Sequence, residues 1–341
     1  MLGQRGRPWL PERARKLLLN TDRLVLTPLA LAGRSAHVAH VVDPGNVIYL
    51  DVLRARGTIC TVHDLIPHLA EAGRLAGFTP TGNGRRLMRA IRSRMARVDR
   101  VVCVSEATRR DLLELVDVDP DRVRVIPNAV FQPMAPASDT ACTDLRRRLG
   151  IPAEAALVLH VGRNFYKNHR GVLEVFARLR RHRPDAHLLL VTPPKADITE
   201  AVGRLGLGAF VHIVPQIAAE DMATLYTTAD LLLFPSLYEG FGYPVLEAQM
   251  CGTPVIGSNA GSLPEVAGDA ARLFDPDDVN GMADAAVSLL EDADAAADLV
   301  HAGHRNAARF PHERWVADHV ALWRELGVTP TAQEHRPVEP A

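Results

Sequence analysis

The chain has 341 residues, 47% hydrophobic and 23% charged, a soluble globular balance that at roughly 100–200 residues per domain predicts two domains. A formal charge of −1 argues against a general nucleic-acid binder, no apolar run reaches the ~18 residues of a membrane span, and the charged opening MLGQRGRPWLPERARK has no apolar signal core, so a cytoplasmic protein is expected. Cys60, Cys103, Cys142 and Cys251 are widely spaced and form no CxxC or His-Cys cluster, so no zinc site is expected; Cys60, Cys103 and Cys251 sit in or beside apolar stretches and read as buried thiols.

In chain order, the first half offers strands at 36–42, 58–62, 100–104 and 122–126, with helical patterns at 85–97 and 106–116. Pro127, Pro133, Pro136 and Pro152 cluster around a polar stretch and predict a linker at 127–140. The second half offers strands at 156–161, 187–192, 210–214, 230–234, 254–257 and 271–274. Helical patterns follow at 169–182, 218–228, 243–251, 279–291 and 293–308. Continuous apolar strands separated by amphipathic helices predict parallel sheets covered on both faces, and two such sets predict two doubly wound α/β domains. The expected division is an N-terminal domain over 1–139, a C-terminal domain over 140–310, a helix at 311–326 docking across the junction, and a Pro-rich disordered tail at 327–341. Charge divides with the halves: residues 1–150 hold 24 Lys and Arg against 15 Asp and Glu, the remainder 15 against 25. A basic first half suits an anionic membrane surface or a phosphorylated acceptor; it is equally an uneven spread of solvated charge.

Ligands of open parallel sheets bind beyond the carboxyl ends of the strands. After strand 156–161 comes Gly162-Arg163-Asn164-Phe165-Tyr166-Lys167-Asn168, two cations ahead of a helix. After strand 230–234 comes Pro235-Ser236-Leu237-Tyr238-Glu239-Gly240-Phe241-Gly242, glycines at a helix start whose N–H groups attract an anion. Together the loops read as a diphosphate site, although each alone is also an ordinary turn. Glu247, about one turn into the second helix, can face the same crevice as Glu239 and accept two hydrogen bonds from a ribose diol. Spacing alone leaves a helix-surface glutamate as the alternative.

The stretch FPSLYEGFGYPVLEAQMCGTPVIGSNAGSLPEVAGDAARLFDPDD resembles the sugar-nucleotide signature of retaining GT-B glycosyltransferases of family 4, with Glu239 and Glu247 in its E-x7-E pattern and Gly162, Arg163 and Lys167 in its Gly-Arg…Lys element. Residues 104–130 and TVHDLIPHL at 61–69 extend the likeness, which covers about 36–326. It implies GT-B architecture, two Rossmann-like domains facing across a cleft. It further implies that Arg163 and Lys167 bind the diphosphate and Glu247 the ribose. Glu239, with the N–H groups of Gly240, Phe241 and Gly242, would lie against the sugar and its phosphate, and His63 would face the sugar. Without the family, His63 and Asp64 read as a strand-end turn with a capping Asp. No DxD-like pair stands before a strand end to hold a metal, so no required metal is expected, and no cofactor beyond the nucleoside-diphosphate sugar as co-substrate. The TVHDLIP form looks like that of bacterial mannosyl- and rhamnosyltransferases of polysaccharide assembly, which implies a GDP-linked hexose and a glycan or lipid-linked acceptor.

The sequence departs from the family at its start, where a strand, Gly-rich loop and helix are replaced by about 35 basic, Pro-containing residues. That leaves a non-catalytic partner subunit with a retained sugar-nucleotide pocket as the alternative to an active enzyme. A dinucleotide oxidoreductase needs G-x-G-x-x-G after a strand, which is absent here. Helix 85–97 places Leu87, Ile91 and Met95 on one stripe and Arg85, Arg86, Arg89 and Arg92 mostly elsewhere, a basic face suited to peripheral contact with the inner, anionic face of a membrane.

Overall fold

The computed structural model describes residues 25–132 and 134–328. The readings that concern residues 1–24 and 329–341, including most of the departing start and most of the tail expected to be disordered, lie outside the described residues. Two parallel sheets organise the rest. The first holds β1 (Ser35–Val41), β2 (Arg54–Val62), β3 (Arg100–Cys103) and β4 (Val123–Val125), in the order β1-β2-β3-β4. The second holds β5 (Leu157–Val161), β6 (His187–Val191), β7 (Val211–Val214), β8 (Leu231–Phe234), β9 (Val255–Ser258) and β10 (Arg272–Phe274), in the order β10-β9-β8-β5-β6-β7. From β5 the chain runs outward through β6 and β7, then returns to place β8 on the other side of β5. The gap between β5 and β8 is therefore the topological switch point, where an open α/β sheet leaves a crevice for a ligand.

Every strand read from the sequence is present. β2 starts at Arg54, four residues earlier than expected, because its first residues are largely exposed and carry no apolar signal. Helices Ile66–Glu71, Asp139–Leu149, Ala196–Arg204 and Leu263–Ala267 were not anticipated. Asp139–Leu149 falls largely in the polar stretch after Pro136 and buries only Leu145, but Ser138 caps its start and left-handed Gly150 its end.

Each face of the C-terminal sheet has its own core. Val158, Leu188, Leu190, Leu231 and Leu233 pack with Val172, Phe176 and Leu179 of helix His169–His182. Leu157, Leu159, Leu189, Leu232 and Phe234 pack with Leu145, Tyr226 and Val245 on the opposite side. In the N-terminal sheet, Cys60, Val62, Val101 and Cys103 face helices Gly82–Met95 and Glu106–Leu115. The other face, Ile59, Val102 and Ile126, is covered by Leu322 and Trp323 of helix His312–Glu325. Burial pushes the thiols of Cys60 and Cys251 up to about 12.

Helix Gly82–Met95 corrects one expectation. Its buried residues are Met88, Ile91 and Met95, with Leu87 only half-buried. Arg92 turns inward, donating to Glu71 at 2.5 Å and contacting His68 Nδ1 at 3.0 Å. The exposed arginines of the expected face are thus Arg85, Arg86 and Arg89.

The two units meet directly. Glu265 of the C-terminal unit accepts from the Glu106 N–H at 2.9 Å, charging the start of helix Glu106–Leu115 favourably. Ser105 Oγ donates to the Gly240 carbonyl at 2.7 Å. Val104 joins Phe241, Leu246 and Val266 in one apolar cluster.

Candidate functional site

The loops after β5 and β8 flank the switch point. Asn168 ties them together. It caps helix His169–His182 through a 3.1 Å bond from the Gly171 N–H, sits in the left-handed region at φ 55, and donates from Nδ2 to the Pro235 carbonyl at 3.0 Å. Asparagine is among the few non-glycine residues that tolerate this backbone. His169 contacts the Gly162 carbonyl at 2.8 Å and fixes the loop's near end.

Lys167 lies at the centre. Its Nζ donates to Glu239 Oε1 at 2.7 Å and stands 4.6 Å from the Phe234 ring centroid. Both side chains are nearly buried, 12% and 8% exposed, so the pair is a real charge contact and not a surface one. Burial pushes the Glu239 carboxyl up, and Lys167 opposes that shift. A Cβ at Gly162 would stand 2.5 Å from Lys167 Cγ, which is why the lysine stem can cross this position.

Glu247 sits in helix Tyr243–Met250 and accepts from the Tyr226 hydroxyl at 2.6 Å. Its carboxyl is raised by burial and lowered by Tyr226 and by Lys167. The structure therefore brings Lys167, Glu239 and Glu247 together. The N–H groups of Gly240, Phe241 and Gly242 have no protein acceptor among the described residues. The Phe241 side chain is buried between Tyr243 and Phe310, so only its backbone faces a ligand. Gly240 is pressed against the N-terminal unit, where a Cβ would overlap the His63 carbonyl oxygen.

His63 follows β2 directly, is exposed, and contacts the Val42 carbonyl through Nε2 at 2.9 Å. Arg163 stands exposed at the rim with no side-chain partner among the described residues, and its carbonyl accepts from Lys195 Nζ at 2.6 Å. Lys195 and Tyr226 were missed in the sequence. Lys195 had a usable signal, a cation just past the end of β6 at the same topological level as Arg163. Tyr226 had none, because its contact with Glu247 spans 21 residues. Among the described residues, no group of three or more His, Cys, Asp and Glu is placed to hold a metal ion.

Two Rossmann-like units, each a parallel sheet, with a cationic and N–H-lined crevice at the switch point of the second, define the GT-B glycosyltransferase fold. Residues 3–131 match the sequence model of Glycosyltransferase Family 4, and residues 143–306 that of Glycosyl transferases group 1, so each half of the chain carries a glycosyltransferase domain. The chain is 32% identical over 246 residues to the MMP alpha-(1->4)-mannosyltransferase of Mycolicibacterium hassiacum, covering 69% of this chain and 56% of that protein. It is 32% identical over 225 residues to a D-inositol 3-phosphate glycosyltransferase of Corynebacterium kroppenstedtii, covering 62% of this chain and 50% of that protein. The chain thus spans about half the length of these two relatives. Over 322 residues it is 26% identical to the O-antigen chain mannosyltransferase B of Escherichia coli, covering 92% of this chain and 82% of that protein. In fold it is similar to sucrose-phosphate synthase from Thermosynechococcus elongatus, with a TM-score of 0.75 and 23% identity over 95% of this chain and 82% of that one. Anabaena HepE in complex with UDP and glucose gives 0.72 and 18% over 86% and 78%.

Proposed function

We propose that the chain is a retaining glycosyltransferase that moves a hexose from a nucleoside-diphosphate sugar to a glycan or lipid-linked acceptor. The observation that supports it most is the convergence of the Lys167–Glu239 pair with three unaccepted N–H groups at the switch point. In this reading the diphosphate takes over Lys167 from Glu239 and receives the N–H groups of Gly240, Phe241 and Gly242, with Arg163 closing on it from the rim. Glu247 accepts the ribose hydroxyls. Glu239 and His63 flank the sugar. The bond from the anomeric carbon to the diphosphate oxygen breaks, its electron pair leaves with the diphosphate, and the acceptor oxygen bonds to that carbon from the same face. The acceptor proton passes to the departing phosphate oxygen. Charge grows on the leaving group as the bond stretches, so fixed cations and N–H dipoles there lower the barrier more than they tighten ground-state binding.

The relatives named for mannosyl transfer favour mannose as the hexose, the TVHDLIP resemblance favours GDP as its carrier, and the matched E. coli protein favours a polysaccharide product. The proposed transfer needs no metal, because protein cations hold the diphosphate, and turnover is expected to persist in excess chelator. The direct test incubates the chain with a panel of nucleoside diphosphates and their sugars. At one hundred times its Kd the correct ligand stabilises the fold by about 2.7 kcal/mol, and the matching sugar nucleotide is slowly hydrolysed. If none raises the melting temperature and none is consumed, the reading fails. No described helix is long and apolar enough to cross a membrane. A peripheral contact through Arg85, Arg86 and Arg89 on the outer face of helix Gly82–Met95 is part of the same proposal.

A further inference from the structure

Two cavities open on the N-terminal side of the crevice, and both are floored by Asp64. One, about 290 Å³, lies between the units and is walled by Phe78, Asn164, Phe165 and Tyr166. The other, about 240 Å³, adds Asp43, His63 and His68, with Met88 and Ile91 behind them. Neither is lined by a lysine or an arginine.

The rings form a platform from both units. Phe78 and Phe165 lie 6.4 Å apart and within 17° of parallel, and Tyr166 stands at 84° to Phe165 at 5.6 Å. Phe78 is 43% exposed, a large apolar side chain left open at the cleft mouth. Asn164 donates to the Tyr166 hydroxyl at 2.9 Å, which fixes that ring and leaves its own proton free to point outward. Asp64 spends Oδ1 on the Ile66 N–H at 3.0 Å, and its other oxygen has no protein partner among the described residues.

Resting on the glycosyl-transfer reading, we propose that the acceptor is an uncharged glycan whose terminal pyranose stacks on the Phe78 and Phe165 side of this wall, with the upright Tyr166 at its edge, while its hydroxyls donate to Asp64. An aromatic face is electron-rich and attracts the weakly positive C–H groups of a sugar ring. A free carboxylate oxygen accepts hydroxyl protons and repels phosphate. The basic N-terminal half, which suggested a phosphorylated acceptor, carries its exposed Arg85, Arg86 and Arg89 elsewhere. The helix that bears them turns Met88 and Ile91 toward the cavity. Asp64 is also the join between the two substrates: its Cβ lies 2.9 Å from where a Cβ on Gly240 would stand, next to the diphosphate loop.

The test uses the full chain in the presence of a nucleoside diphosphate. Saturation-transfer NMR titrations compare mannobiose, maltose and cellobiose with mannose 6-phosphate and inositol 3-phosphate. At least one neutral disaccharide is expected to bind at least tenfold more tightly than either phosphate. Phe78→Ala and Phe165→Ala are each expected to weaken it about tenfold, while Phe165→Tyr keeps it. Calorimetry of the nucleoside diphosphate on the same variants is expected to stay within about twofold of the parent. Preference for a phosphorylated acceptor, absence of neutral-sugar binding, or Ala variants that bind the disaccharide like the parent each overturns the proposal. Loss of nucleotide binding by the parent chain overturns the glycosyl-transfer reading instead, and calorimetry reads it separately.

Discussion

β8 and β9 of the C-terminal sheet are buried at every residue, whereas β1, at the edge of the N-terminal sheet, is exposed over its first three. The C-terminal sheet covers both faces with helices drawn from its own stretch of chain. The N-terminal sheet borrows a cover: Leu322 and Trp323 arrive from nearly 200 residues beyond β4 to close the face of Ile59, Val102 and Ile126. The half that carries the loops after β5 and β8 is self-sufficient. The half that carries Asp64 and Phe78 leans on its neighbour for both its core and its cavity. In the proposed function such an arrangement would let the sugar-nucleotide side stay rigid while the acceptor side varies.

The largest expected effect comes from a cation that acts on carboxyls of both halves. Lys167 bonds Glu239, and its charge lowers the carboxyls of Glu247 and, across the cleft, Asp64. Lys167→Met is expected to lower turnover by about 10²–10³-fold and to cost about 3–5 kcal/mol of stability by stranding a buried carboxylate. The sign with pH follows. Glu239 is already raised above its ordinary value, and losing Lys167 raises it further, so the variant keeps stability below the unfolded carboxyl pKa and loses it as pH rises. The stability gap between parent and variant is therefore expected to open only above the parent's own raised Glu239 pKa and to widen until the variant's still higher one is passed. Denaturant melts at several pH values check it, and a gap that narrows with rising pH refutes the pairing.

Next in size is Leu322→Ala. A 2% exposed leucine removed from the borrowed cover is expected to cost about 2–5 kcal/mol. Hydrogen exchange by mass spectrometry is the measurement of choice, because the contrast between halves predicts where the loss falls. Protection is expected to drop in β1–β4 and to hold in β5–β10. A uniform loss would mean the two sheets unfold as one unit and the asymmetry carries no energetic weight.

The third effect is confined to the C-terminal half. Glu247→Gln removes a charged acceptor from the proposed ribose site and is expected to weaken nucleotide binding by roughly 1.5–3 kcal/mol. Tyr226→Phe, which leaves the carboxylate in place but frees Oε2, is expected to lose less. Calorimetry with free nucleoside diphosphate decides; equal affinity for Glu247→Gln and the parent removes Glu247 from the site.

The same contrast governs what was legible beforehand. All ten strands of the described residues stand out as short, mostly apolar runs bounded by turns, most sharply the fully buried β8 and β9 and less so β1, whose first three residues are exposed. Ala196–Arg204 carries a helical stripe in Ile198, Val202 and Leu205, but it is short, holds Gly203 and follows two prolines, so it reads as a loop until β6 and β7 require a crossover. In the site, Lys167, Glu239 and Glu247 could be found because strand ends and helix starts are local features. Tyr226 and the stacked Phe78 and Phe165 could not, since each meets its partner across 21 residues or more. Asp64 was read with His63 as a turn, and the Ile66 N–H bond shows that turn is real. What the sequence hid was the cavity on Asp64's other side.

The smallest effect tests the charge contrast itself. On helix Gly82–Met95 the basic residues of the first half reach the surface as Arg85, Arg86 and Arg89, while Arg92 is spent on Glu71 and Arg94 on Asp51. Three exposed arginines at about 1 kcal/mol each near anionic lipid give weak, reversible attachment. The helix's apolar residues Met88, Ile91 and Met95 are buried in the protein, so no apolar face remains to insert. Binding is therefore expected to be electrostatic throughout: sedimentation with anionic liposomes at low salt, release as ionic strength rises, and no binding to neutral liposomes. Replacing Arg85, Arg86 and Arg89 together with Gln is expected to abolish it, whereas Arg92→Gln is expected to change stability and leave binding alone. If the triple variant sediments like the parent, the arginines are a solvated face and the charge difference between the halves has no partner at this helix.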